Sequence, residues 1–171
     1  MCQGTTKKGK KCKKAGEPFC HLHGPKLTVA ERKIEKKKAR GPSKSDGPGF
    51  IYIYMLDNDP DHFYKIGRTT RTVEKRLKEW KGSRLVRSFP VKHNKHAERL
   101  IHLHLDAKRI YRYKTPEGYC NIWKSNGDPV LTRDAELKEK YKLSASGKEI
   151  EWFICYLDEV VDLITREGLT E

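Results

Sequence analysis

Residues 50–56 read FIYIYML and residues 62–67 read HFYKIG, with DNDP at 57–60 between them. The first run mixes β-branched and aromatic residues and is apolar at every position, the pattern of a strand buried on both faces of a sheet. The second reads as its partner across a turn. If Leu56 pairs with Asp61 across a four-residue turn, Tyr52 falls opposite Lys65 and on the same face. A slip of one residue would put the two on opposite faces.

C-terminal to this hairpin, RTTRTVEKRLKEW (68–80) predicts a helix from a Thr72 cap to about Lys81, with Val73, Leu77 and Trp80 on one stripe. At about 100° per residue Arg76 falls within that inward stripe, whereas Glu74, Lys75, Lys78 and Glu79 point away. Arg76 therefore either serves a site or snorkels onto a carboxylate. LVRSFPV (85–91) predicts a third strand, and HAERLIHLHLD (96–106) a second helix that buries Ala97, Leu100, Ile101 and Leu105. Glu98 flanks that buried side, His102 stands one turn later on the same flank, and His104 reads as a packed core histidine. Cys155 lies in an apolar run and reads as a small core residue.

N-terminal to the hairpin the composition changes. The chain has 171 residues and a formal net charge of +14; residues 1–48 hold 14 Lys and Arg against 4 Asp and Glu, and so carry +10 of it. A basic arm ahead of a nearly neutral domain suits a polyanion, because each neutralised phosphate releases counterions; a solubilising tail is the plainer alternative. Within the arm Cys2, Cys12 and Cys20 crowd together, followed by His21 and His23. Cys20-x-x-His23 is a chelating pair that Cys2 and Cys12 could complete to a tetrahedral Cys3His zinc site, with His21 the other candidate fourth ligand; a disordered basic tail with incidental cysteines is the plainer alternative. Some 24 residues bury little core, so order there would come from the metal. Residues 25–48 read as a basic linker, with a short helix at about 28–40 capped by Thr28 and ended by GPSKSDGP. No run approaches the roughly 18 apolar residues that span a bilayer, and MCQGTTKKGKK has no apolar stretch behind its charges. The expectation is an intracellular chain with no membrane partner, with KKKAR at 36–40 a nuclear import signal if the host cell has a nucleus.

The order of Ile51-Tyr52, Lys65-Ile66-Gly67, Arg76 in a following helix and Glu98 in a later one resembles the GIY-YIG nuclease superfamily. KIGRTT at 65–70, Arg76-Leu77, Glu98 with His102, Glu151-Trp152-Phe153 and LDEVVDLI at 157–164 are similar to its phage DNA-binding-domain branch. The N-terminal cysteine segment is similar to zinc knuckles attached to such domains. This resemblance implies an α/β fold: a small GIY-YIG-like domain at 49–171 with a central antiparallel sheet flanked by helices, preceded by a zinc knuckle at 1–24 and the linker at 25–48. It also implies DNA phosphodiester hydrolysis with one magnesium or manganese ion. Glu98 would hold that metal, Arg76 would stabilise phosphoryl charge, and Tyr52 would activate or position the water. Lys65 stands where the family has its second tyrosine, with Tyr64 shifted to the other face; His102 completes the catalytic set.

Residues 112–148 read as an insertion, with turn signals at PEG and NGDP, a short helix at 133–142, and Tyr113, Tyr119 and Trp123 as base-stacking candidates. The alternative is a satellite core around Tyr119, Ile122 and Trp123. Two functions follow: a metal-dependent DNA endonuclease, or a non-catalytic DNA-binding module on the same scaffold. A carboxylate beside phosphates favours the first, because it repels DNA unless a cation intervenes. RNA binding through the knuckle is a third reading without a motif of its own.

Overall fold

Alternation along FIYIYML divides the core in two. The computed structural model describes residues 3, 5, 8–13, 27–57, 63–79, 82–115, 118–123, 139 and 148–170, with backbone alone at 114–115, 118–123 and 148. Among these, six strands, β1 (Gly49–Leu56), β2 (Phe63–Thr69), β3 (Ser83–Val91), β4 (Arg109–Thr115), β5 (Gly118–Trp123) and β6 (Lys148–Ile154), form one antiparallel sheet in the order β3-β1-β2-β6-β4-β5. The helices are α1 (Val29–Arg40), α2 (Val73–Leu77), α3 (Asn94–His104) and α4 (Leu157–Arg166). This is the α/β architecture that the sequence implies. None of these helices is long and apolar enough to cross a membrane.

One face of the sheet is aliphatic. Ile51, Ile53, Ile66, Val91 and Phe153 pack against Ala97 and Ile101 of α3 and Val160, Leu163 and Ile164 of α4. Each of these side chains larger than alanine contributes about 1.5–3 kcal/mol of burial. The other face gathers Tyr52, Tyr54, Ile110 and Trp152 against Val73 of α2. Cys155 joins the aliphatic core, and burial pushes its thiol up to about 12.

The hairpin register differs from expectation by two residues. Tyr54 lies opposite Lys65 and Tyr52 opposite Gly67, because six residues (57–62), not four, separate the strands. A shift of two preserves the faces, so Tyr52, Tyr54 and Lys65 still share one. α2 ends at Leu77, short of the expected Lys81, as Glu79 N–H closes onto the Arg76 carbonyl. Thr72 takes the N-cap position, but its hydroxyl makes no capping bond. Trp80 lies outside the described residues.

A distant residue caps α3. The Asp46 carboxylate accepts the backbone N–H groups of Lys95 (2.9 Å) and His96 (2.7 Å), the orphan donors of a first helical turn. α4 ends in a Schellman turn: Gly168 takes φ +59, its N–H bonds the Thr165 carbonyl, and Leu169 N–H bonds that of Ile164. His104 is half-turned from the core, with Nε2 3.2 Å from the Glu167 carboxylate.

Within the expected insertion, residues 112–115 complete β4 and residues 118–123 supply β5 at the sheet edge. Tyr113 is 1% exposed, so it packs in the fold and is closed to a nucleic-acid base. Tyr119 and Trp123 are placed by backbone alone, and the expected helix at 133–142 lies outside the described residues except for Glu139.

Chain contacts divide the protein into Met1–Lys33 and Ile34–Glu171. In the first unit Thr5 and Lys11 form an antiparallel bridge, followed by the buried Cys12. Cys2, Cys20, His21 and His23 lie outside the described residues. Thr28 and Glu31 form a capping box at the start of α1, each side chain bonding the other's backbone N–H. No residue of α1 is buried, as its sparse apolar content predicts.

Candidate active site

β2 pairs with β6 only from Phe63 to Lys65; beyond that the two strands part. Side chains from both sheet faces meet at the gap. A cleft of about 320 Å³ opens there, lined by Tyr52, Arg68, Arg71, Arg76, Glu98 and Glu151 together with Thr69 and Thr70.

Tyr52 enters from the aromatic face. Its ring stacks on Tyr54, centroids 5.6 Å apart, and its hydroxyl lies across Gly67. A β-carbon at Gly67 would stand 2.6 Å from Tyr52 Oη and 2.8 Å from Cζ, so this strand position accepts only glycine while the phenol stays in place. Arg76 reaches in from α2 and donates Nε–H to Tyr52 Oη at 3.3 Å. Burial pushes the phenol above its usual range, opposed by that hydrogen bond.

Glu98 enters from α3 on the aliphatic face. Its carboxylate accepts Arg68 Nε–H at 2.9 Å. Arg68 also donates Nη1–H to Asn94 Oδ1 at 3.1 Å, and Asn94 in turn donates to the carbonyls of Gly47 (2.7 Å) and Pro48 (3.1 Å). Burial raises the Glu98 carboxyl despite the Arg68 charge.

Lys65 and His102 stand behind the cleft. Lys65 is buried, with Nζ 3.7 Å from Glu151 and 3.9 Å from Glu149; burial lowers its pKa against the pull of those carboxylates. It also lies 6.0 Å from the Trp152 ring centroid. His102 turns Nε2 to the Ile66 carbonyl at 2.8 Å and packs on Phe153. That bond requires Nε2–H, and burial lowers the pKa of the ring.

The structure thus brings Tyr52, Arg76 and Glu98 into one cleft and places Lys65 and His102 behind it. Arg68, Arg71 and Glu151 join them without having been singled out as site residues. Arg68 and Glu151 sat within quoted motifs, KIGRTT and Glu151-Trp152-Phe153, where position alone gave no role. Among the described residues no group of three or more His, Cys, Asp or Glu could hold a metal ion. Glu98 and Glu151 are the carboxylates of the cleft, hard oxygen donors of the kind magnesium takes one or two at a time while phosphate and water fill its other positions.

A family model described as the T5orf172 domain matches residues 49–167. No curated protein and no solved structure matches the chain.

Proposed function

The chain belongs to the T5orf172 domain family, and from that premise we propose that it binds DNA and hydrolyses its phosphodiester bonds on a GIY-YIG-like scaffold. One observation carries this reading: a phenol, a guanidinium and a partly buried carboxylate, drawn from opposite faces of the sheet, share one cleft. A magnesium or manganese ion held by Glu98, with Glu151 facing the same cleft, would supply the Lewis acid that polarises the phosphoryl oxygen.

The protein's own groups divide the remaining work. Arg76 donates toward the negative charge that develops on the phosphoryl oxygens. Tyr52, a neutral phenol whose pKa burial raises further, orients the attacking water by hydrogen bonding. Lys65 pairs with the neighbouring Glu151 carboxylate from behind the cleft, and His102 pins β2 through the Ile66 carbonyl. The basic residues of 1–48 draw in the polyanion. Zinc on Cys2, Cys12, Cys20 and either His21 or His23 orders the first 24 residues; metal analysis should find one zinc per chain, lost in Cys12→Ser.

Cleavage of supercoiled plasmid with magnesium or manganese tests the reading, run beside Glu98→Ala and Tyr52→Phe. Wild-type cutting that Glu98→Ala abolishes and Tyr52→Phe slows supports it. Equal cutting by the wild type and both variants rejects the assigned site. Glu98 is engaged by Arg68 and Arg76 by Glu79, and this favours a second reading as a non-catalytic DNA-binding module. Duplex binding without cutting in either metal would select it.

A further inference from the structure

Glu79 lies just beyond α2, outside the cleft lining, yet its carboxylate holds two arginines that line the cleft. Arg71 Nη2 donates to Oε1 at 2.6 Å, and Arg76 Nη1 donates to Oε2. Arg76 at the same time keeps Nε on Tyr52 Oη. Two guanidinium groups converging on a single two-oxygen anion reproduce the way arginines grip a phosphate. Arg71 is otherwise a solvent-facing residue, its side chain 55% exposed, and nothing else described orients it toward the cleft.

We propose that Arg71 and Arg76 form a clamp for a backbone phosphate of DNA, and that Glu79 fills this clamp when DNA is absent. The proposal rests on the DNA reading above and adds to it a second phosphate contact, Arg71, and an internal competitor, Glu79. Exposed ion pairs are weak and salt-sensitive, so an incoming phosphate displaces the carboxylate readily. The carboxylate then swings into solvent, and each arginine exchanges one anionic acceptor for another. Until that exchange, Arg76 spends on Glu79 an N–H that the phosphoryl group needs.

The test is duplex DNA affinity of the full chain, measured by fluorescence anisotropy without divalent cation across a salt series. Glu79→Gln keeps the shape and removes the charge. It should tighten binding about 3–5-fold at low salt, the scale of one exposed ion pair. It should also steepen the slope of log affinity against log salt by about one, because one more phosphate is neutralised. Glu74→Gln, on α2, removes the same charge without freeing an arginine, and should change affinity less than about 1.5-fold. Arg71→Ala should weaken Glu79→Gln more than it weakens the wild type. Equal gains from Glu79→Gln and Glu74→Gln, or an Arg71→Ala that is harmless beside Glu79→Gln, overturn the clamp and leave the DNA reading standing. A wild type that binds no duplex overturns both.

Discussion

On one face of β1, Ile51 and Ile53 meet aliphatic side chains of α3 and α4; on the other, Tyr52 and Tyr54 meet Arg76, Val73 and Trp152. All four of these β1 residues are buried, and both faces come from a single seven-residue run. The aliphatic face gains stability from undirected burial. The aromatic face is the smaller cluster and holds polar groups at set distances: Trp152 donates Nε1–H to Glu149 at 2.5 Å, and the Arg112 guanidinium lies 4.7 Å from the Trp152 ring centroid. Such a layer tolerates fewer substitutions, because each ring both packs and orients a charge.

Substitutions should separate the two faces. Ile53→Ala opens a cavity in the aliphatic core and should cost about 2–5 kcal/mol in urea unfolding, with cleavage per folded molecule unchanged. Loss of specific activity in the folded protein would show that the faces are coupled. Gly67→Ala acts on the other side. Its β-carbon meets the Tyr52 phenol, so it should cost about 1–3 kcal/mol of stability but lower the cleavage rate about 100-fold through displacement of Tyr52. A Gly67→Ala protein that is destabilised and fully active would contradict the placement of Tyr52. Asp46→Ala removes the cap of α3 and should cost about 1 kcal/mol, read as a shift in denaturation midpoint.

The smallest effect concerns Cys155. Its folded pKa is raised above the ordinary 9.0 to about 12. The neutral thiol's contribution to stability is therefore complete below pH 9 and is lost as pH rises from there toward 12. Native protein at pH 8 should leave Cys155 unalkylated until denaturant is added. Rapid alkylation of the folded chain would show that the aliphatic core is not closed.

Much of the frame is legible in the sequence because periodicity survives there. FIYIYML and the apolar stripe of α3 locate a strand and a helix directly, whereas β6 and α4 are marked by the family resemblance of Glu151-Trp152-Phe153 and LDEVVDLI. The register was displaced by two because loop length decides it and the turn residues do not state their own extent. The α3 cap was invisible: Asp46 and the amides it holds are about 50 residues apart, and only the folded chain joins them. Arg68 and Glu151 were hidden for a related reason. Their place in the cleft depends on where β2 and β6 part, and no local pattern encodes that gap. Arg76 was readable as an anomaly, a charge within an inward stripe, and its partner Tyr52 explains it.

The central claim is that the cleft between β2 and β6 hydrolyses DNA through Glu98. Single-turnover cleavage of plasmid at saturating protein, with manganese, compares wild type and Glu98→Gln under conditions where both are folded and bind DNA alike. The account predicts a rate loss of at least about 1,000-fold for Glu98→Gln. Cutting at the wild-type rate by Glu98→Gln would contradict it.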